Sequence, residues 1–261
     1  MPSNNLNISA IQCELHWENT EQNLQSIACL LKTVPASSDV VVLPEMFTTG
    51  FSMNPELVAV NMDGKEVSMI KQWANDYDKA IVGSLIVKEN NNYYNRLLWV
   101  NPNGEVFKYD KKHLFTFAKE QETYTAGEDN LIVNYKGWNV ACFICYDLRF
   151  PVWSRNVNSN YDAAIYVANW PEKREKAWES LLVARAIENQ VYVIGVNRVG
   201  EDGNGILYSG GSAVLDPLGE YMETSERHQK KTLNVSLSAQ ELNDRRTSFP
   251  VGKDADNFKL L

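Results

Sequence analysis

The chain is written in short strands. Runs rich in β-branched and aromatic residues recur from end to end: NISAIQC, DVVVLPE, KAIVGSLIV, RLLWV, LIVNY, NVACFIC, DAAIYVAN, VYVIGVN, GSAVLD and TLNVSL. Several are apolar at nearly every position, the pattern of strands covered on both faces. A few helical patterns lie between them. Leu24, Ile27, Leu30 and Leu31 follow three-to-four spacing behind an acidic start at Glu18 and Glu21, and Val67 to Tyr77 and Lys176 to Asn189 repeat that spacing. Asn101-Pro102-Asn103-Gly104 marks a hairpin turn. Strands alternating with helices define an α/β class with mixed sheets. So many strands beside so few helices fit two sheets packed face to face and sheathed by helices better than one doubly wound sheet. No linker, repeat or low-complexity tract divides the 261 residues, so 1–261 is expected to form one domain.

Composition narrows the partners. Hydrophobic residues make up 44% and charged residues 22%, enough for a large core. A net charge of −8 argues against a nucleic-acid or anionic-membrane surface, which needs clustered Lys and Arg. No apolar run reaches the length of a membrane span, and MPSNNLN lacks both the basic and the apolar part of a signal peptide. A cytoplasmic protein is expected. The polar tail SFPVGKDADNF is expected to dock on a neighbouring subunit or to cover the surface.

Three strand-like runs end in chemistry: DVVVLPE at Glu45, the segment from Val106 at Lys111-Lys112-His113, and NVACFIC at Cys145. Strand ends are where ligands gather in open sheets. Taken singly, an exposed Glu or Lys is most often a solvated face, and a Cys in an apolar run a small core filler. Taken together they are a complete set. A thiol is mostly protonated at neutral pH and needs a base or a cation to react. Glu45 is suited to take the proton and Lys111 to hold the charge of a tetrahedral intermediate. A Cys–His pair is the alternative, with His113 better placed than His228, which lies in the polar stretch SERHQKK. Adjacent strand positions face opposite ways, so Lys111 and Lys112 cannot both point into one site. The four cysteines, Cys13, Cys29, Cys142 and Cys145, are too few for a disulfide framework and are expected to be reduced. Cys142 and Cys145 form a C-x-x-C, but on a strand they face opposite ways, so no metal site is expected.

LPEMF at 43–47, YDKKHLF at 109–115 and CYDLRFP at 145–151 resemble, in order and spacing, the Glu, Lys and Cys motifs of the nitrilase superfamily of carbon-nitrogen hydrolases. NWPEKREKAWESLLVARAIENQVYVIGVNRVG and GSAVLDPLGE extend the likeness over nearly the whole chain. The resemblance implies a four-layer αββα sandwich that assembles as a homodimer or higher oligomer across its helical layer. It implies that Glu45 is the general base, Lys111 the cation that stabilises the intermediate and Cys145 the acylated nucleophile. The family's second glutamate best matches Glu120 in FAKEQE, with Glu122 nearby. The strand then ends in Cys145 so that a rigid element presents the sulfur at a sharp turn. There the backbone N–H of Tyr146 helps hold an oxyanion, and Asp147 and Arg149 brace the turn.

Tyr-Asp-Leu-Arg-Phe-Pro after the cysteine resembles the omega-amidase branch in particular. That branch hydrolyses the terminal amide of short 2-oxo acids such as 2-oxoglutaramate and releases ammonia. The resemblance implies a small-molecule amide as substrate and no cofactor. Arg174, with Trp170 in NWPEKR, is the candidate contact for the substrate's far carboxylate, because a guanidinium supplies a fork of charged donors. Carbamoyl-amine hydrolysis and acyl transfer to an amine would use the same three residues. A catalytically idle binding protein is the third alternative.

Overall fold

The computed structural model describes residues 2–256 and Phe258. Its strands are β1 (Leu6–Gln12), β2 (Val40–Val42), β3 (Ala80–Glu89), β4 (Asn92–Val100), β5 (Val106–Asp110), β6 (Leu131–Tyr135), β7 (Trp138–Ile144), β8 (Ala163–Val167), β9 (Tyr192–Val196), β10 (Val199–Glu201), β11 (Leu207–Ser209), β12 (Ala213–Leu215), β13 (Tyr221–Thr224) and β14 (Lys231–Leu237). The helices are α1 (Thr20–Leu31), α2 (Pro55–Val58), α3 (Lys65–Tyr77), α4 (Glu120–Thr123), α5 (Glu175–Asn189) and α6 (Ala239–Ser248). Two six-stranded sheets run in the orders β14-β1-β2-β3-β4-β5 and β13-β12-β9-β8-β7-β6, and β10 and β11 pair as a separate hairpin. Each sheet has a parallel centre, β1-β2-β3 in one and β7-β8-β9 in the other, with antiparallel strands at its edges.

Alternation along the strands sorts side chains into two cores. Val40 and Val42 of β2, with Ala80 and Val82 of β3, face the second sheet and pack with Val140, Phe143 and Ile165. Val41 and Ile81 face the other way, against Ile27 of α1 and Ile70 and Trp73 of α3. On the far side Trp178, Leu182 and Ala186 of α5 and Leu242 of α6 cover the second sheet. This period-two sorting makes four layers, helix–sheet–sheet–helix, from one alphabet of apolar residues. Gly195 of β9 sets the closeness of α5, since a Cβ there would lie 2.5 Å from Leu182 Cδ1.

The structure shortens two of the expected strands. The sequence pattern carries β2 to Glu45, but the ladder stops once Pro44 removes a donor. It carries β7 to Cys145, but the strand ends at Ile144 and Cys145 begins a 3₁₀ turn, Cys145–Arg149. Helix α6 is an element that the apolar spacing does not announce. Its N-terminus nevertheless carries a signal, Ser-Ala-Gln-Glu at 238–241, where Ser238 Oγ accepts from Glu241 N at 3.2 Å. Arg246 of α6 reaches back to Asp162 at 2.7 Å and fastens the helix to the sheet. Of the tail at 248–258, residues 251–254 form a 3₁₀ turn and Asn257 lies outside the described residues.

Candidate active site

Glu45 lies in a turn fastened to β3. Leu43 N donates to Val82 O at 2.7 Å and Phe47 N to Ser84 O at 3.1 Å. Met46, which adopts φ 44, donates its N–H to Ser84 Oγ at 2.8 Å. Gly83 lets the turn lie against the strand, since a Cβ there would sit 2.9 Å from Leu43 Cβ and from Phe47 Cδ1. The second sheet grips the same residue. Asn169, just past β8, donates its backbone N–H to Glu45 Oε2 at 2.7 Å and its Nδ2 to Glu45 O at 2.6 Å.

Lys111 is the first residue after β5, and its N–H donates to Asn95 O of β4 at 3.0 Å. Its ammonium, fully buried, donates to Glu45 Oε1 at 3.0 Å and to Glu120 Oε1 and Oε2 at 3.1 and 3.0 Å. Glu120 opens α4 and accepts from Phe115 N at 2.6 Å. Its rival Glu122 is exposed and pairs with Lys119 at 3.8 Å. Lys112 lies outside the cluster, its ammonium 5.2 Å from the Trp153 ring centre.

Cys145 follows β7 directly and adopts φ 45. A left-handed backbone costs a non-glycine residue about 1–3 kcal/mol, so its surroundings must hold it there. Asp147 supplies that hold, accepting Ile144 N at 3.0 Å, Tyr109 OH at 2.7 Å and His113 N at 3.0 Å. His113 Nδ1 also contacts Asp147 Oδ1 at 2.8 Å, and the imidazole stacks on Phe150. His113 therefore orients the loop that carries Lys111. His228 pairs with Glu172 at the surface, and neither histidine lines the catalytic cavity. The two thiols of the C-x-x-C are separated: Cys142 is buried between the sheets, while Cys145 opens to the cavity with Sγ 3.9 Å from Asn169 O.

Burial sets the electrostatics. It pushes the Cys145 thiol well above its ordinary range, and the adjacent Glu45 carboxylate adds to this more than Lys111 offsets it. The resting sulfur is a neutral thiol. Burial alone would lower the Lys111 ammonium, but the Glu120 and Glu45 carboxylates prevail and hold it charged above its usual range. Burial raises Glu120 as well, against the pull of Lys111. Two carboxylates thus share one ammonium in a buried pocket, with a thiol at its edge. That set can move a proton from sulfur to carboxylate and stabilise an oxyanion.

The cavity above the thiol has a volume of about 810 Å³. Phe51, Phe115, Phe117, Trp170 and Tyr208 form much of its wall, and Tyr146 follows the cysteine along its floor. The Tyr146 N–H lies in the first turn of the 3₁₀ segment, where the helix itself offers no acceptor. Arg174 lines the cavity with its guanidinium 5.1 Å from the Phe115 ring centre, and Trp170 Nε1 donates to Arg174 O at 2.8 Å. Arg149 departs from the expectation that it braces the turn. Its guanidinium lies 4.9 Å from the Trp170 ring centre and lines the same cavity. Neither arginine side chain has a carboxylate partner among the described residues. Asn95 and Asn169 are site residues that the sequence reading missed, although Asn169 ends the run DAAIYVAN as Cys145 ends NVACFIC.

Known proteins carry the same architecture. Residues 7–247 match the family model for carbon-nitrogen hydrolase. The omega-amidase YafV of Escherichia coli K12 is 44% identical over 98% of this chain and 98% of its own length. The 2-oxoglutaramate amidase of Bacillus subtilis is 31% identical over 95% of this chain and 96% of its own. The crystal structure of a CN-hydrolase superfamily protein from Xanthomonas campestris, with an arsenic adduct in its active site, superposes with a TM-score of 0.97 at 41% identity. That superposition covers 99% of this chain and 100% of the other. A family match over nearly the whole chain, on the four-layer fold already described, places the protein in the carbon-nitrogen hydrolase family of the nitrilase superfamily.

Proposed function

We propose that the protein hydrolyses the terminal amide of a short 2-oxo dicarboxylic acid monoamide, of the 2-oxoglutaramate type, to the acid and ammonia. One observation carries this reading. The cavity lined by Cys145 and Lys111 also presents Arg149 and Arg174, guanidiniums placed over aromatic rings and free of carboxylate partners among the described residues. An omega-amide has a reacting carbonyl at one end and a carboxylate at the other, and guanidinium forks suit that carboxylate. The names of the relatives in Escherichia coli and Bacillus subtilis support the same substrate class.

In the reaction we infer, Sγ of Cys145 attacks the amide carbon while Glu45 takes the thiol proton. The carbonyl oxygen becomes an oxyanion, held by a Lys111 N–H and the backbone N–H of Tyr146. As the intermediate collapses, the C–N bond breaks and Glu45 returns the proton to the leaving nitrogen, which departs as ammonia. A water then attacks the thioester and gives its proton to Glu45, with Glu120 positioning it, and the acid leaves as the thiol is restored. The neutral resting thiol fits this order, because proton transfer and attack occur together. The same reading gives a cytoplasmic homodimer or higher oligomer working without a cofactor, and light scattering tests the assembly.

Mass spectrometry of the intact protein mixed with 2-oxoglutaramate or succinamate is expected to show an acyl adduct on Cys145, with ammonia released at steady state. Arg149→Met and Arg174→Met are expected to raise KM for these acids tenfold or more, roughly the loss of one charge-assisted contact, while leaving an uncharged aliphatic amide little changed. Turnover of carbamoyl amines in place of omega-amides would overturn the substrate class.

A further inference from the structure

Beneath the two glutamates lies a side chain that the reaction above does not use. Asn95 projects from β4 and is fully buried. Its Nδ2 donates to Glu45 Oε1 at 2.8 Å and approaches Glu120 Oε1 at 3.4 Å. Its Oδ1 accepts from Ser84 Oγ at 2.9 Å. That hydroxyl in turn accepts the Met46 N–H, so its single proton is committed to Asn95. The chain of bonds therefore fixes the amide's orientation, with the NH2 group toward the carboxylates and the oxygen away from them. A reversed amide would set a lone pair against two anionic groups.

We propose that Asn95 is a positioning residue for the catalytic carboxylates: a neutral donor, oriented by Ser84, that bonds Glu45 and holds it aimed at the Cys145 thiol. The reading rests on Glu45 being the base of the proposed reaction. Charge accounts for the need. Glu45, Glu120 and Lys111 are all buried, so one ammonium faces two carboxyl groups away from water, and a third donor is needed wherever both are charged. A second lysine would neutralise the base too strongly to accept a proton. A neutral N–H donor stabilises the charge and leaves the carboxylate basic. The remaining titratable groups facing the pair among the described residues are Cys145, Tyr124 and Tyr208, and burial holds all three in their neutral forms. Tyr124 is further committed, donating its hydroxyl to Ser52 O at 2.5 Å.

The test is the pH dependence of Cys145 reactivity in Asn95→Leu, which keeps the volume and removes the donor. Iodoacetamide labels the sulfur without needing a substrate, so the test stands even if the amide class is wrong. Alkylation, and kcat/KM where an amide turns over, should lose roughly tenfold to hundredfold, the rate equivalent of a hydrogen bond to a charged group. The acid limb of both profiles should move up by roughly one pH unit, with KM little changed. Ser84→Ala, which frees the amide to turn, should move the limb the same way by less. That second variant keeps the test open should Asn95→Leu fold poorly. A uniform loss at every pH, with the limb fixed in both variants, would show Asn95 to be packing only. Failure of 2-oxoglutaramate to acylate Cys145, beside a moved alkylation limb, would instead count against the substrate and leave Asn95 in its role.

Discussion

Among the described residues contacting Glu45 and Glu120, Lys111 is the one cation, and the identity of its partners decides what it can do. An ammonium has three N–H donors. With one N–H on Glu45 and one shared between the two oxygens of Glu120, a third remains for an oxyanion. Lys111→Met is therefore expected to lower kcat by about 10²–10³-fold or more, because it removes a preorganised donor and leaves two buried carboxylates unneutralised. Lys112→Met should stay within a few-fold of the parent, since Lys112 meets only the Trp153 face. Steady-state ammonia release by both variants checks the order, and a reversed order would remove Lys111 from the site. At this scale the chemistry is legible where a residue type is rare in its setting. A Glu, a Lys and a Cys at strand exits stand out in a sequence. Asn95 does not, because an amide inside a strand has no signature until its partners are known. Arg149 is misread for a related reason: sequence places a guanidinium near a turn but cannot say whether a carboxylate waits for it.

Elements explain why these side chains meet. Glu45, Cys145 and Asn169 follow strands with parallel neighbours, β2, β7 and β8, so all three leave at the carboxyl ends of their sheets. Helices α1, α3 and α5 announce themselves by spacing, because each buries an apolar stripe on a sheet. The hairpin of β10 and β11 does not, since strands of three residues give too little alternation to read. Glu120 is singled out over Glu122 by resemblance, and the structure shows the physical difference, a carboxylate at the start of α4 folded inward against Phe115 N. The turn holding Glu45 is the least visible element, since its shape depends on contact with β3 at Gly83. Gly83→Ala should destabilise the protein by about 1–3 kcal/mol, the range for overpacking a filled core. The new Cβ would press on Leu43 and Phe47, which flank Glu45, so kcat should fall further than stability alone explains. Urea unfolding together with kcat measured well below the transition checks both parts. Parent-like values for both would mean that the turn is free to move aside.

At the scale of the whole molecule the site is a seam. Glu45, Asn95 and Lys111 belong to one sheet and Cys145 and Asn169 to the other, so docking the sheets assembles the catalyst and also buries two carboxyl groups against one ammonium. The two-sheet architecture is foreseeable from strand number and apolar runs, but the electrostatic cost is not, because it arises only when the layers close. Stability and activity should therefore pull apart at Glu120. Burial raises its carboxyl above the ordinary value of 4.5 in the folded state. Between that value and the raised one the folded protein holds more protons than the unfolded chain, so stability falls as pH rises through the interval, by ~1.4 kcal/mol for each pH unit that the interval spans. Glu120→Gln keeps an acceptor for Phe115 N, leaves Lys111 paired with Glu45 alone, and removes this pH dependence. The free-energy difference between variant and parent, measured by denaturant unfolding from about pH 5 to pH 8, should move in favour of the variant as pH rises. Turnover should meanwhile fall by at least roughly tenfold across the same range, because the deacylating water loses its positioning carboxylate. A difference that moved against the variant with rising pH would mean that the Lys111 ion pair outweighs burial, and that this glutamate stabilises the fold that it is expected to strain.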